Sequence, residues 1–277
     1  MQQSGSPSSI LLGPSALFRE KDGSGGKHQH GEATVTRVDA WWLHECDSVD
    51  STNLVAGSLG VWNAVRANRQ TAGRGRFQRC WVSDAGGLWL SGVTPIEPRA
   101  PDSRAFPLAV GLAVCDALRG LGVKELRMRW PNDVLVGDRK LAGLLIDQFT
   151  PGLAVAGIGI NVSNEPETRD NSLKNQTTRL ADLLPNAPGL PELTALILRG
   201  VRQAAEALLA GELPTLLPRV NQLWDRSRLV ELDLDGELRR GRFNGVDETG
   251  RLLLVDESGA TTAFNPWQVR HLQEKSD

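Results

Sequence analysis

Arg129 to Gly143 reads RWPNDVLVGDRKLAG, and its short apolar runs separated by turn residues decide how the middle of the chain folds. Leu126 to Trp130 and Val134 to Val136 are predicted strands on either side of a Pro131-Asn132-Asp133 turn, and Gly137-Asp138 makes a second turn ahead of Lys140. Lys140 to Ile146 and Leu153 to Asn161 then read as a hairpin-like pair of largely buried strands. Pro131 restricts the approach to Asn132 and Asp133 and fixes the direction of their polar groups. Taken alone, that pair is read as an ordinary Asn-Asp turn. Working outward, Gly87 to Val93 is predicted as another strand, with Leu88 and Leu90 alternating against Trp89 and Ser91. Phe106 to Leu121 has helical spacing of apolar residues and a glycine stop, so it reads as a central packed helix. Asp50-Ser51-Thr52 supplies capping residues for a helix beginning near Asn53, whose free N–H groups would face a ligand space. Residues 191 to 224 read as helical. After Trp224, short strands broken by Asp-Gly and Thr-Gly turns suggest a small barrel.

Between a predicted strand at Val61 to Ala67 and Trp81 lies QTAGRGRFQRCW, Gln70 to Trp81, with Arg69 just before it. Gly73 and Gly75 allow close backbone approach, and Arg74, Arg76 and Arg79 add charge and forked donors suited to carboxylate or phosphate. A solvated basic loop, or an Arg-Gly run touching RNA, is the competing reading of this segment alone. The whole chain has 277 residues, 40% hydrophobic and 23% charged, with a net charge of −2. That balance argues against a nucleic-acid binder, so any phosphate chemistry has to come from a local cluster of charge. Cys46, Cys80 and Cys115 lack metal-ligand spacing and read as thiols in a reducing compartment. No run reaches the roughly 18 apolar residues of a membrane span, and the N-terminus lacks a secretory pattern, so the expected location is cytoplasmic.

Ser51-Thr52-Asn53, Gly73-Arg74-Gly75-Arg76, Trp130-Pro131-Asn132-Asp133, Lys140-Leu141-Ala142-Gly143 and Gly157-Ile158-Gly159-Ile160-Asn161 occur in this order. Together they resemble the biotin protein ligase family, over roughly residues 40 to 272. The resemblance implies an α+β fold: a mixed or antiparallel sheet flanked by helices, as in class II aminoacyl-tRNA synthetases and biotin ligases, followed by a small SH3-like β-barrel. The expected organisation is a disordered low-complexity tail at 1–37, a catalytic domain at 38–226 and the SH3-like domain at 227–277. Some members of the family carry a DNA-binding winged helix; the tail is too short and too polar to be one, which points to a monofunctional ligase that does not bind DNA.

The implied reaction joins biotin and ATP into biotinyl-5′-AMP, then transfers biotin to a lysine of a biotin carboxyl carrier protein domain of a biotin-dependent carboxylase. Lys140 and Arg76 are the expected catalytic residues. Ser51, Thr52, Asn53, Gln70, Arg74, Gly75, Arg76, Lys140, Gly143 and Gly157 are expected to bind biotin. Arg74, Arg76, Trp81, Asn132, Lys140 and Asn161 are expected around the nucleotide, and Asp133 is the candidate Mg2+ ligand. Trp89 or Leu88 would wall the valeryl chain, and Arg270 is a candidate for reaching the nucleotide from the small domain. Phe77, Gln78 and Cys80 depart from the family's loop pattern, which puts retention of the adenylate in question. No membrane partner is expected, and a homodimer is left open. Lipoate ligation and a non-catalytic biotin or adenylate sensor are the alternatives.

Overall fold

Alternating side chains along three central strands account for both the core and the cleft of the protein. The computed structural model describes residues 33–97, 104–224 and 228–275. Its first sheet has eight strands, β1 (Thr34–Val38), β2 (Trp41–Val49), β3 (Asn63–Gln70), β4 (Leu88–Pro95), β5 (Leu126–Arg129), β6 (Asp133–Val136), β7 (Arg139–Asp147) and β8 (Leu153–Ile160), in the order β1-β2-β3-β4-β8-β7-β6-β5. β2 and β3 run parallel and the other neighbours antiparallel, so the sheet is mixed, as the sequence predicts. Leu88 and Leu90 of β4, Ile158 and Ile160 of β8, and Ala142 and Leu144 of β7 are buried in one hydrophobic core. Helices α2 (Phe106–Gly120) and α4 (Leu190–Leu209) cover that face, and a Cβ on Gly200 would lie 3.2 Å from the Ala113 Cβ where the two helices meet. On the opposite face the same strands carry Trp89 and Ser91, Gly157 and Gly159, and Gly143, paired as Trp89↔Gly159↔Gly143 and Ser91↔Gly157. Small residues on that face leave room above the sheet. The five-residue helix α1 (Thr52–Ala56) closes one end of the space.

The expected helical stretch 191–224 divides into α4 and α5 (Leu213–Gln222), because Gly211 takes a left-handed φ of 72° between them. A further short helix, α3 (Leu180–Leu183), follows the loop after β8. The second sheet is antiparallel, with β9 (Leu229–Leu234), β10 (Glu237–Val246), β11 (Leu252–Val255), β12 (Thr261–Phe264) and β13 (His271–Glu274) in the order β12-β11-β10-β9-β13. This matches the small β unit expected after Trp224; the boundary expected at 226/227 falls at 225–227, outside the described residues. Residues 1–32 of the expected tail lie outside them too. The remainder of that tail needs correction: Thr34 to Arg37 belong to β1, which pairs with β2. Thr34-Val35-Thr36 and Val38 are β-branched residues suited to a pleated edge, a local signal that the tail's composition masked.

The two sheets share one hydrophobic core, and polar contacts fix how they meet. The Trp130 indole donates to the Gly250 carbonyl at 3.1 Å. Arg127 is bidentate to Glu274 at 2.8 Å for each bond and also pairs with Asp138 at 2.9 Å. Fork-to-carboxylate bonds of this kind fix orientation as well as distance. No helix among the described residues is long and apolar enough to cross a membrane.

Candidate active site

Above the glycine face lies a cleft of about 310 Å³, bounded by α1, the loop Arg74–Trp81, the start of β6 and the stretch Val269–Leu272. Every residue expected at the site lines it: Ser51, Thr52, Asn53, Gln70, Arg74, Gly75, Arg76, Trp81, Asn132, Asp133, Lys140, Gly143, Gly157 and Asn161. Among the described lining residues, Arg74, Arg76, Arg79, Arg129, Lys140 and Arg270 face a single carboxylate, Asp133. A chain of net negative charge thus concentrates cations here, as an anion site requires.

At the α1 end the polar groups are interlocked. Gln70 Oε1 accepts from the Thr52 N–H at 2.8 Å and from its hydroxyl at 3.1 Å, and Gln70 Nε2 donates to Ser83 Oγ at 2.8 Å. The Ser91 hydroxyl lies 2.7 Å from Thr52 Oγ1 and 2.6 Å from Asn53 Oδ1. Asn53 Nδ2 donates to Asp147 Oδ2 at 2.8 Å and to the Leu145 carbonyl at 3.2 Å. Gly157 is required at this point, since a Cβ there would lie 2.2 Å from Asn53 Oδ1. Ser83, Ser91 and Asp147 were not anticipated. For Ser91 the signal was present, because it shares the Trp89 face of its strand.

Lys140 reaches the cleft through a bulge. Asp133 pairs with Gly143, but the register then slips so that Leu135 pairs with Lys140, leaving Leu141 as the extra residue. Without the slip, Lys140 and Gly143 would point to opposite faces; the bulge turns the lysine to the side of Asp133 and Gly143. Its ammonium sits 2.6 Å from Asp133 Oδ1 and 4.7 Å from the centre of the Trp81 ring. Arg129 holds the other oxygen of Asp133 at 2.7 Å. Burial pushes the Asp133 carboxyl up, but Lys140 and Arg129 more than offset it and keep the group below the usual carboxylate range. With both oxygens taken by cations, and no group of three or more His, Cys, Asp or Glu gathered among the described residues, a resident Mg2+ at Asp133 does not fit this donor set.

Trp81 lies across Gly143 and Gly159, where a Cβ on either would come within 2.9 Å or 2.6 Å of the indole. It is only half-buried, so it is a wall of the cleft and not a core residue. Its Nε1 has no hydrogen-bond partner, and neither do the buried Nε and Nη2 of Arg74, whose nearest carboxylate is Asp147 at 3.8 Å. Polar atoms left so inside a cleft await a ligand.

Three of the expected ligand residues that line the cleft also bond to protein groups. Arg76 donates to the Pro266 carbonyl and, at 3.0 Å, to that of Val269, so it joins the loop to the second sheet. Burial pulls its guanidinium down to about 10, with Asp133 raising it and Arg79 lowering it. Asn161 gives Nδ2 to the Thr178 carbonyl at 3.2 Å and accepts from Asn164 at 2.9 Å, clamping the segment after β8. Asn132 Nδ2 donates to the Leu144 carbonyl at 2.7 Å. Within the loop, Gly73 is sterically required, since its Cβ would meet Ser83 Oγ and the Trp81 carbonyl at 2.4 Å, whereas Gly75 has no neighbour closer than 3.6 Å. The left-handed positions are Phe77 and Gln78, at φ 53° and 60°. Arg270 packs its guanidinium over Phe77 at 5.4 Å and pairs with Asp235.

Residues 48–163 match the model of the biotin/lipoate A/B protein ligase family. The chain is 34% identical to the biotin--[acetyl-CoA-carboxylase] ligase of Mycobacterium tuberculosis, over 75% of this chain and 78% of that protein. It is 30% identical to the bifunctional ligase/repressor BirA of Escherichia coli, over 82% and 72% respectively. Among solved structures, the biotin protein ligase from Aquifex aeolicus in complex with biotin and ATP superposes with a TM-score of 0.74 at 25% identity, covering 84% of this chain and 99% of that one.

Proposed function

The chain belongs to the biotin protein ligases, and from that premise we propose how its own residues carry out the reaction. The enzyme forms biotinyl-5′-AMP from biotin and ATP and transfers biotin to a protein lysine. In the first step a carboxylate oxygen of biotin attacks the α-phosphorus of ATP, and the bond to the β-phosphate breaks to release pyrophosphate. In the second the lysine amine attacks the anhydride carbonyl. A C–N bond forms, the C–O bond to AMP breaks, and the amine loses its proton.

The unpartnered donors of Arg74 carry this reading. They suit the carboxylate of biotin and then the mixed anhydride, where a forked guanidinium meets planar oxygens. Lys140, a point charge anchored by Asp133, neutralises negative charge that builds up as phosphorus is attacked. Thr52, Gln70 and Asn53, backed by the buried Ser91, suit the ureido ring, which offers two N–H donors and one carbonyl. A dithiolane ring would leave that polar row unmatched, which favours biotin over lipoate. Trp81 offers an apolar face to the ligand. ATP would bring Mg2+ as its counter-ion, which would offset phosphate charge without a ligand from Asp133. The acceptor is the carrier domain of a biotin-dependent carboxylase.

The test is pyrophosphate release with ATP and biotin, followed by transfer to a carrier domain. Lys140→Ala should keep its fold and lose adenylate formation by about 10²-fold or more. Near-normal turnover in that variant would remove Lys140 from the chemistry.

A further inference from the structure

We propose that Asp147 is a positioning residue that sets both ends of the biotin site at once, an inference that rests on reading the cleft as that site. Asp147 is the last residue of β7, on the same face as Gly143 and Leu145. Its Oδ2 accepts from Asn53 Nδ2 at 2.8 Å and is also the carboxylate oxygen facing Arg74, 3.8 Å away. Each contact does a different job.

The two protons of Asn53 Nδ2 go to Asp147 and to the Leu145 carbonyl. A flipped amide would set Oδ1 against a carboxylate and a carbonyl, so one orientation survives. Oδ1 therefore faces Ser91 and Gly157, and the row Asn53–Ser91–Thr52–Gln70–Ser83 is fixed from its Asp147 end. Towards Arg74, 3.8 Å is close enough to attract and too long for a hydrogen bond. Asp147 thus holds the guanidinium over the cleft by charge while leaving Nε and Nη2 unused. A ligand carboxylate takes those donors without first having to break a bond. It also meets the opposing field of Asp147, so this residue limits how tightly an anion is held.

The two jobs separate by substitution. Asn at 147 keeps an oxygen that accepts from Asn53 and removes the charge facing Arg74; Ala removes both. Equilibrium binding of biotin and of its neutral primary amide, biotinamide, is measured on the full-length protein, with a thermal melt of each variant. Asp147→Ala should weaken both ligands by about tenfold or more, because an Asn53 donor is left unpaired. Asp147→Asn should bind biotinamide within about threefold of the wild type, and its preference for biotin over biotinamide should rise by about threefold or more as the competing carboxylate disappears. Asp147→Ala binding both ligands like the wild type overturns the proposal. So does Asp147→Asn losing biotinamide as severely as Asp147→Ala, and so does Asp147→Asn with an unchanged preference between the ligands. A wild-type protein that binds neither ligand sinks the biotin reading itself and is distinguishable from these outcomes.

Discussion

Replacing Gly157 by Ala tests the glycine face of the cleft with a single methyl group. The added Cβ would lie 2.2 Å from Asn53 Oδ1, 2.9 Å from Cγ and 3.0 Å from Nδ2. Ordinary contact therefore requires the amide to retreat by about 1 Å. Backbone relief is limited, because Gly157 is hydrogen-bonded within a strand between Ser91 and Leu145. The three contacts of the Asn53 amide, at 3.2, 2.8 and 2.6 Å, cannot all survive that displacement. Losing two or three hydrogen bonds worth about 1 kcal/mol each gives about 2 to 3 kcal/mol. If the loss falls on the folded state as a whole, the melting temperature drops by about 4 to 12 °C for a protein of this size. If it falls on ligand recognition, biotin affinity falls roughly 30- to 150-fold. Thermal unfolding with and without biotin, together with a direct binding titration, separates the two. Gly120→Ala is the control: Gly120 ends α2, and nothing lies within 4 Å of where its Cβ would sit, so the substitution should leave binding alone and be neutral or stabilising by about 0.4 to 1 kcal/mol. A Gly157→Ala protein with wild-type stability and wild-type biotin affinity would refute the placement of Asn53 against this glycine.

Asp133→Asn should slow adenylate formation by about tenfold or more, because Lys140 loses its ionic anchor; the same assay with saturating biotin and ATP checks it. The Asp133 carboxyl lies below its usual range in the folded protein, so its stabilising contribution is complete above the unfolded value, about 3.9, and is lost as pH falls through the folded value. Acid unfolding of Asp133→Asn should accordingly be less steep than that of the wild type below about pH 4. His271 shares the preference of Asp133 for the deprotonated form, at higher pH: burial, with Arg79 and Arg129, lowers it, while Asp233 and Asp133 pull the other way. The folded state then binds a proton less readily than the unfolded one, so stability should decline as pH falls below about 6.5, and His271→Gln should flatten that decline in melts between pH 5 and 8. Trp130→Phe keeps a six-membered aromatic ring but removes the pyrrole half of the buried indole and with it the donor to Gly250, leaving the carbonyl without its 3.1 Å partner; a loss of at least about 1 to 3 kcal/mol in urea unfolding is expected, the missing volume adding to the lost bond.

Much of this architecture was legible because the strands carry different chemistry on alternate faces. In Leu88 to Ser91 and in Gly157 to Ile160, the aliphatic positions select the core and the Gly, Trp and Ser positions select the cleft. Period-two reasoning therefore found the strands but left the cleft wall open between Trp89 and Leu88; Trp89 lines the cleft and Leu88 lies in the core. The same reasoning could not find the bulge at Leu141, because one extra residue in one strand leaves no mark in composition, yet that residue determines where Lys140 points. Alternation counted from Gly143 would send the lysine to the wrong side. β13, His271 to Glu274, was also missed. Only Leu272 in it is buried, so its strand character comes from pairing with β9 and not from local preference. Asn161 and Arg76 show a third kind of gap. Residue type suggested ligand contacts for both and could not show the bonds each also makes to carbonyls distant in sequence.

That last point bears on how the cleft divides its cations. An arginine has five donors and no acceptor, so its task is read from what those donors reach. Nη2 of Arg76 reaches the Pro266 and Val269 carbonyls, Nη2 of Arg79 reaches the Arg270 carbonyl at 3.2 Å while its Nη1 lies 3.4 Å from His271 Nδ1, and Arg270 itself is paired with Asp235. Arg76 and Arg79 therefore fasten the loop to the second sheet's side, where Arg270, held by Asp235, lies over Phe77. The loop also holds two consecutive non-glycine residues in the left-handed region, Phe77 and Gln78, a backbone costing about 1 to 2 kcal/mol per residue. Hydrogen bonds from a charged donor, at about 1.5 to 3 kcal/mol each, are of the size needed to offset that cost. The second sheet therefore does more than extend the protein, since it keeps the loop in a conformation its own residues do not favour. Arg74, one residue from Gly75 and outside that fastening, is the guanidinium of the loop left with open donors towards the sheet. Anchoring its neighbours elsewhere is what reserves it for a ligand.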